Sequence, residues 1–322
     1  MSSAVLEPFT AQDGENLALY EWPLDSAAHE QGPAAAPLRG VVLIVHGLGE
    51  HACRYERLAC QLLDWGFAVR AYDQRGHGDS TGRRGVLPSD TALLDDLAEM
   101  VDDTRLHCGR QLTLWRDHGA EPGPLPPLPL ILLGHSLGGL VASRFVSLNI
   151  RPVDGLVLSS PALDLGLNAL QKLLLAALPG MAPDLQINSG LNPKYLSHDA
   201  HVVRKYRADP LVHAQISGRL ARFMESAGLA TVAAAQHWNT PTLLLYAGAD
   251  KLVNPAGSRA FAAAAAMSPD VRPGLVTSHC FEELYHEIFN EADPAPVYEA
   301  LPKSGSGKVM WRSLQEAEGG SD

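Results

Sequence analysis

Short, unbroken apolar runs recur along this chain and are separated by amphipathic stretches. The runs are 40–45 (GVVLIV), 128–133 (LPLILL), 155–160 (GLVLSS) and 241–247 (PTLLLYA). Runs of this length read as strands covered on both faces, the signature of a parallel sheet. Residues 67–72 and 273–278 continue the series at lower hydrophobicity. Between them the period changes to that of a helix. Tyr55, Leu58, Ala59, Leu62 and Leu63 share one face of 54–65, and 91–112, 137–149 and 256–267 follow in the same way. Strand and helix alternate, so the expected fold class is α/β, a mostly parallel sheet with helices on both faces.

Two regions depart from that rhythm. Residues 4–10 and 16–22 alternate as two strands joined at Asp13-Gly14, ahead of an Ala/Pro linker at 25–38. Residues 163–236 hold helical patches and loops without a strong strand. They are read as an inserted cap, with 1–162 plus 237–322 as the core. Residues 115–128 read as a Pro/Gly-rich loop.

Composition excludes several functions. The formal net charge is −11, and Lys and Arg do not cluster, so no nucleic-acid partner is expected. Cys53, Cys60, Cys108 and Cys280 form no C-x-x-C pair, and the 13 histidines are scattered. A reduced, cytoplasmic protein with no metal site is therefore expected. The N-terminus has no apolar signal core, and no apolar run approaches the ~18 residues of a membrane span. No phosphate-cradling motif follows a strand in the required way, so no cofactor is expected.

The chemistry sits at Gly134-His135-Ser136-Leu137-Gly138. Here G-x-S-x-G follows a buried strand and opens a helix, the setting in which a tight turn pushes a serine hydroxyl out of the sheet. Asp250, at the end of the strand TLLLYAGAD, and His286, in YHEIFNE, follow in the order such a serine needs. His286 would take the serine proton and pass it to the leaving alcohol, and Asp250 would hold its tautomer. His279 competes for the same role but falls within a strand. The tetrahedral intermediate needs two amide donors. They are assigned to Leu137, after the serine, and Leu48, in the loop His46-Gly47-Leu48-Gly49.

Six segments together carry a family resemblance: HGLGEHACRYERLA (46–59), YDQRGHGDSTG (72–82), GHSLGG (134–139), YRADPLV (206–212), GADKLV (248–253) and YHEIFNE (285–291). As a set they resemble the monoacylglycerol lipase and lysophospholipase branch of the α/β hydrolases, from about residue 4 to 291. The resemblance implies Ser136, Asp250 and His286 as the triad and Leu48 and Leu137 as the oxyanion donors. It also implies a polar pocket end for glycerol hydroxyls built from Glu50, Arg54, His135 and Tyr206. On their own, Glu50 and Arg54 could equally pair at a helix start, and Tyr206 could be a core residue of the cap. Asp73, His77 and Asp79 are structural in this family.

The implied reaction is hydrolysis of monoacylglycerol to glycerol and fatty acid. Lysophospholipids, general carboxylic esters, thioesters and peptides are the alternatives within enzymes, and a non-catalytic binding protein is the alternative outside them. The apolar stretch 168–181 (NALQKLLLAALPGM) reads either as a lid that touches a membrane surface transiently or as plain packing of the cap. The tail after Glu291 departs from the family. Its apolar patches are short and broken by SGSG, so a short last helix and a disordered end are expected, with looser support for His286.

Overall fold

The computed structural model describes residues 4–22, 38–117, 128–169, 171, 182–267 and 274–303. The linker 25–37, most of the Pro-rich loop (118–127), most of the apolar stretch 168–181 and the tail beyond 303 lie outside the described residues.

The strands are β1 (Ala4–Val5), β2 (Phe9–Thr10), β3 (Asn16–Leu17), β4 (Leu19–Trp22), β5 (Gly40–Val45), β6 (Phe67–Tyr72), β7 (Leu130–His135), β8 (Gly155–Ser159), β9 (Gln186–Asn188), β10 (Gln215–Ser217), β11 (Thr242–Ala247) and β12 (Val276–Phe281). The helices are α1 (Glu56–Asp64), α2 (Ala92–Asp117), α3 (Leu137–Ser147), α4 (Ala200–Ala208), α5 (Gly218–Ala234), α6 (Pro255–Ala266) and α7 (Ala295–Lys303). Eight strands form one sheet in the order β1-β4-β6-β5-β7-β8-β11-β12. The pairs from β6 to β12 are parallel, and β4 and β1 add antiparallel at one edge.

Alternation along the central strands divides the core in two. Val41, Leu43, Val45, Leu130 and Leu132 face a layer that holds α2, α3, α5 and α6. Val42, Ile44, Ile131 and Leu133 face the layer with α1 and α7. The helix starts follow from local chemistry. Asp199, Ser217 and Asn254 accept backbone N–H groups at the beginnings of α4, α5 and α6, and Pro255 occupies the first turn of α6.

Three features differ from the sequence pattern. The N-terminal hairpin is split: β2 pairs with β3 around Gly14, while β1 pairs with β4. β12 begins three residues later than its apolar part suggests, because its register is set by β11, which pairs Thr242 with Val276. As an edge strand it is half exposed, so its sequence VTSHCF carries a weak signal. Within 163–236, β9 and β10 form a small antiparallel pair, and α5 lies against α3 and α6.

The chain runs from β5 to β6 on one side and returns to β7 on the other. A crevice therefore opens at the carboxyl ends of β5 and β7, the usual ligand position in such sheets.

Candidate active site

Ser136 stands between the end of β7 and the start of α3 with φ 53° and ψ −118°. This conformation is strained for a residue with a side chain. Its backbone is locked by Ser136 N–H to Ser159 O at 3.0 Å, and its own carbonyl accepts from Leu140 and Ala162 N–H, each at 3.0 Å. The glycine at 138 is required by contact, since a Cβ there would lie 2.0 Å from the Val45 carbonyl oxygen.

His286 and Asp250 come from the loops after β12 and β11. His286 Nδ1 donates to Asp250 Oδ2 at 2.6 Å, and both side chains are buried. Asp250 Oδ1 accepts from the Leu252 and Val253 amides at 2.8 and 3.1 Å. Burial opposes ionisation of Asp250. The His286 charge and hydrogen bond and those two amides outweigh it, so the carboxyl is held below its usual range. For His286 burial pushes the other way, and Asp250 overcomes it to raise the imidazole above 6.5. The His286 ring lies 4.7 Å from that of His135, the residue preceding Ser136. Burial, reinforced by His286, depresses His135 to about 4. Of these two facing imidazoles, His286 is therefore the more basic.

The loop after β5 approaches the serine closely. A Cβ on Gly47 would lie 3.2 Å from Ser136 Cβ. Gly47 is held at both ends of its residue. Its N–H donates to Glu50 Oε1 at 2.6 Å, and its carbonyl lies 2.8 Å from His46 Nδ1. Gln74 N–H meets His46 Nε2 at 2.9 Å, so Nε2 accepts and Nδ1 carries the proton toward Gly47. The Leu48 amide belongs to the peptide plane whose carbonyl His46 fixes. Neither the Leu48 nor the Leu137 N–H bonds to a described residue.

The residues expected to hold an alcohol group form an ionic cluster. Arg54 Nη1 pairs with Glu50 Oε2, and the guanidinium takes Glu287 Oε1 and Oε2 at 2.7 and 2.8 Å. Tyr55 donates its hydroxyl to Glu50 Oε1 at 2.6 Å. The Tyr206 ring stacks 4.7 Å from the Arg54 guanidinium. Burial alone would raise Glu50, but Arg54 and the nearby imidazoles hold it at about 2. Burial also disfavours the Arg54 cation, and Glu287 and Glu50 raise its pKa in spite of that. Glu287 was not singled out from the sequence, although it adjoins His286. Its partner Arg54 is far away in the chain, and no local spacing announces the pair. Beside Leu48 and Tyr206 opens a cavity of about 220 Å³, lined also by Leu191, Val212 and His213.

Asp73, His77 and Asp79 build the loop after β6. The Asp73 carboxylate accepts from Ala52 N–H, Asp79 N–H and the Tyr20 hydroxyl at 2.7, 2.8 and 2.9 Å, which is a structural hub. The His286 loop has its own fastening. Glu287 N–H donates to Leu196 O at 2.8 Å, and the buried Glu291 carboxylate receives Tyr285 N–H, His198 N–H and Ser197 Oγ–H. Helix α7 is short and packs Val297 and Tyr298 onto the α1 layer. No group of three or more metal-ligating side chains occurs among the described residues, and no described helix is long and apolar enough to cross a membrane.

Residues 36–293 match the model of the Hydrolase_4 family, described as serine aminopeptidase, S33. An uncharacterized abhydrolase domain-containing protein of Dictyostelium discoideum is 31% identical over 90% of this chain, which spans only 28% of that protein. A monoacylglycerol lipase of Mycolicibacterium smegmatis is 33% identical over 79% of this chain and 84% of its own length. Among solved structures, the monoacylglycerol lipase of Paleococcus ferrophilus superposes with a TM-score of 0.69 at 31% identity, covering 86% of this chain and 96% of that one. The architecture is the α/β-hydrolase fold.

Proposed function

Because the chain belongs to the Hydrolase_4 family of serine hydrolases, we propose that it hydrolyses carboxylic esters of amphiphilic lipids, with monoacylglycerol as the substrate, through an acyl-enzyme on Ser136. The observation that carries this reading is the buried His286–Asp250 pair at 2.6 Å, its imidazole facing His135, which adjoins a serine held at positive φ. In the proposed reaction Ser136 Oγ attacks the ester carbonyl, and His286 Nε2 takes the hydroxyl proton. Asp250 stabilises the imidazolium. The oxyanion is received by the Leu48 and Leu137 amides, which point at developing charge without reorganising. Collapse expels glycerol, which leaves with the proton from His286. Water then repeats the sequence on the acyl-enzyme and releases fatty acid.

The ionic cluster distinguishes esters from peptides with a free amino terminus. An aminopeptidase needs a carboxylate oxygen open to the substrate ammonium. Glu50 and Glu287 share the single Arg54 cation, and each of their four oxygens already has a donor: Arg54 engages both residues, Gly47 N–H and the Tyr55 hydroxyl take Glu50 Oε1, and the Asn290 amide takes Glu287 Oε2. His135 and the Tyr206 hydroxyl would serve neutral hydroxyl groups at this end, and Glu50 and Arg54 would take part through the lone pairs and protons their own pairing leaves over. The apolar stretch 168–181 is proposed to meet the lipid surface.

A panel of 1-monoacylglycerols of increasing chain length, lysophospholipids, p-nitrophenyl esters and aminoacyl arylamides tests the reading. The expected result is highest kcat/KM on a monoacylglycerol and no arylamide turnover. A preference for aminoacyl arylamides would overturn it.

A further inference from the structure

Residues 206–213 of the inserted segment lie against the outside of the loop that carries Leu48. Helix α4 stops where Asp209 becomes extended (φ −78°, ψ 118°), and Pro210 follows. The two oxygens of the Asp209 carboxylate go different ways. Oδ1 closes the turn by accepting Leu211 N–H at 2.9 Å, and Oδ2 receives Nε2 of the buried His51 at 2.9 Å. A little further on, His213 N–H donates to the Gly49 carbonyl at 2.9 Å. Gly49 has φ +74°, and a Cβ on it would fall 2.2 Å from the His213 oxygen. The two backbones therefore meet at a distance only glycine permits.

From the inside, the same loop is anchored at its ends. His46 and Glu50 hold Gly47, and Asp73 holds Ala52 N–H. Gly49 and His51, both between those anchors, are tied outward to the inserted segment. Without the outer ties, the Leu48 peptide is fixed from one side alone.

We propose that the segment 206–213 is the outer clamp of the oxyanion loop, and that Asp209, acting through His51, is a positioning residue for ester hydrolysis. This rests on the reading of Leu48 as an oxyanion donor. The Leu48 amide is then aimed at the developing oxyanion only while the segment is docked. A residue that merely fastened the segment would change stability and the KM for long-chain esters. It would leave the turnover of a small ester untouched, because that ester carries no long acyl chain.

The test compares wild type with Asp209→Ala, Asp209→Asn, His51→Ala and the Asp209→Ala/His51→Ala double variant on p-nitrophenyl acetate. Hydrogen exchange of residues 46–52 is followed in parallel. Loss of a whole oxyanion donor costs about 10²–10³ in kcat, and a misaimed one about tenfold. Asp209→Ala is therefore expected to lower kcat about tenfold with KM nearly unchanged, and to speed exchange in 46–52. Asn, whose Oδ1 still accepts Leu211 N–H and whose NH2 can donate to Nε2 of a neutral His51, restores most of the rate. The double variant is no worse than either single one, because both remove the same tie. His51→Ala carries the test from the other end if Asp209→Ala does not fold. Wild-type kcat in both single variants, or a change confined to KM, overturns the proposal. Unchanged exchange in 46–52 overturns the clamp whatever the activity. An inactive wild type with faster exchange in the variants overturns the hydrolase reading instead.

Discussion

Replacing Arg54 with Met removes a charge that two buried carboxylates share, while keeping most of the side-chain volume. The side chains of Arg54, Glu50 and Glu287 are 11%, 5% and 4% exposed, so water does little to compensate. Glu50 is held at about 2 against an ordinary 4.5. At about 1.36 kcal/mol per pKa unit, that ionisation contributes about 3 kcal/mol to stability. The folded pKa is depressed, so the contribution is fully present above 4.5 and is lost as the pH falls toward 2. Removing one partner of a buried ion pair independently costs about 3–5 kcal/mol. The expected deficit of Arg54→Met at pH 7 is thus about 3–5 kcal/mol, a fall in Tm of roughly 4–7 °C for a chain of this length. In the variant, burial acts on Glu50 unopposed by Arg54 and pushes its pKa upward. Protonation therefore relieves the variant as the pH falls from 7 toward 4, where wild type has only begun to lose the Glu50 contribution. Urea unfolding followed by tryptophan fluorescence at pH 7 and pH 4 measures both quantities. A deficit below about 1 kcal/mol at pH 7, or an equal deficit at the two pH values, would refute the reasoning.

Three further outcomes are expected. As the proposed base His286 must be neutral, and its pKa is raised, so kcat/KM should fall on the acid side with a midpoint above 6.5. In Asp250→Asn the cause of the raise is gone; the midpoint should drop and the maximal rate should fall by about 10⁴-fold, as a pH–rate profile would show. Gly138→Ala forces a methyl group to 2.0 Å from the Val45 oxygen; the strand-to-helix turn must shift, and a stability loss above about 2 kcal/mol should appear by denaturation. Glu291→Ala leaves the His198 and Tyr285 amides unpaired; residues 285–291 should exchange amide hydrogens faster, and kcat should fall more than stability explains.

Much of the fold was legible because its signals are local. Buried parallel strands announce themselves as apolar runs, and β5, β7, β8 and β11 lie within a residue or two of where those runs stand. The serine turn was legible for the same reason, since strand, G-x-S-x-G and helix are contiguous. The half-exposed edge strand β12 carried no such run, and its register came from β11, a nonlocal partner. The short pair β9–β10 was invisible because three residues give no period to read. At the site, Ser136, Asp250 and His286 could be named from chain order. The Arg54–Glu287 pairing could not, because the two residues are held together only by the folded sheet. The Glu50–Arg54 pair shows the opposite case: its i, i+4 spacing is local, and the pairing that spacing suggests is present. The departure of the tail from the family suggested loose support for His286. The support instead comes from Leu196 and Glu291, with α7 adding Val297 to the core.

The central claim is that Ser136 forms the covalent intermediate. Intact-mass and peptide mass spectrometry after reaction with a fluorophosphonate probe tests it most directly. The account predicts one adduct per chain, carried by the peptide containing Ser136, absent in Ser136→Ala, and formed far more slowly in His286→Ala. An adduct on another residue, or ester hydrolysis retained in a folded Ser136→Ala protein, would contradict it.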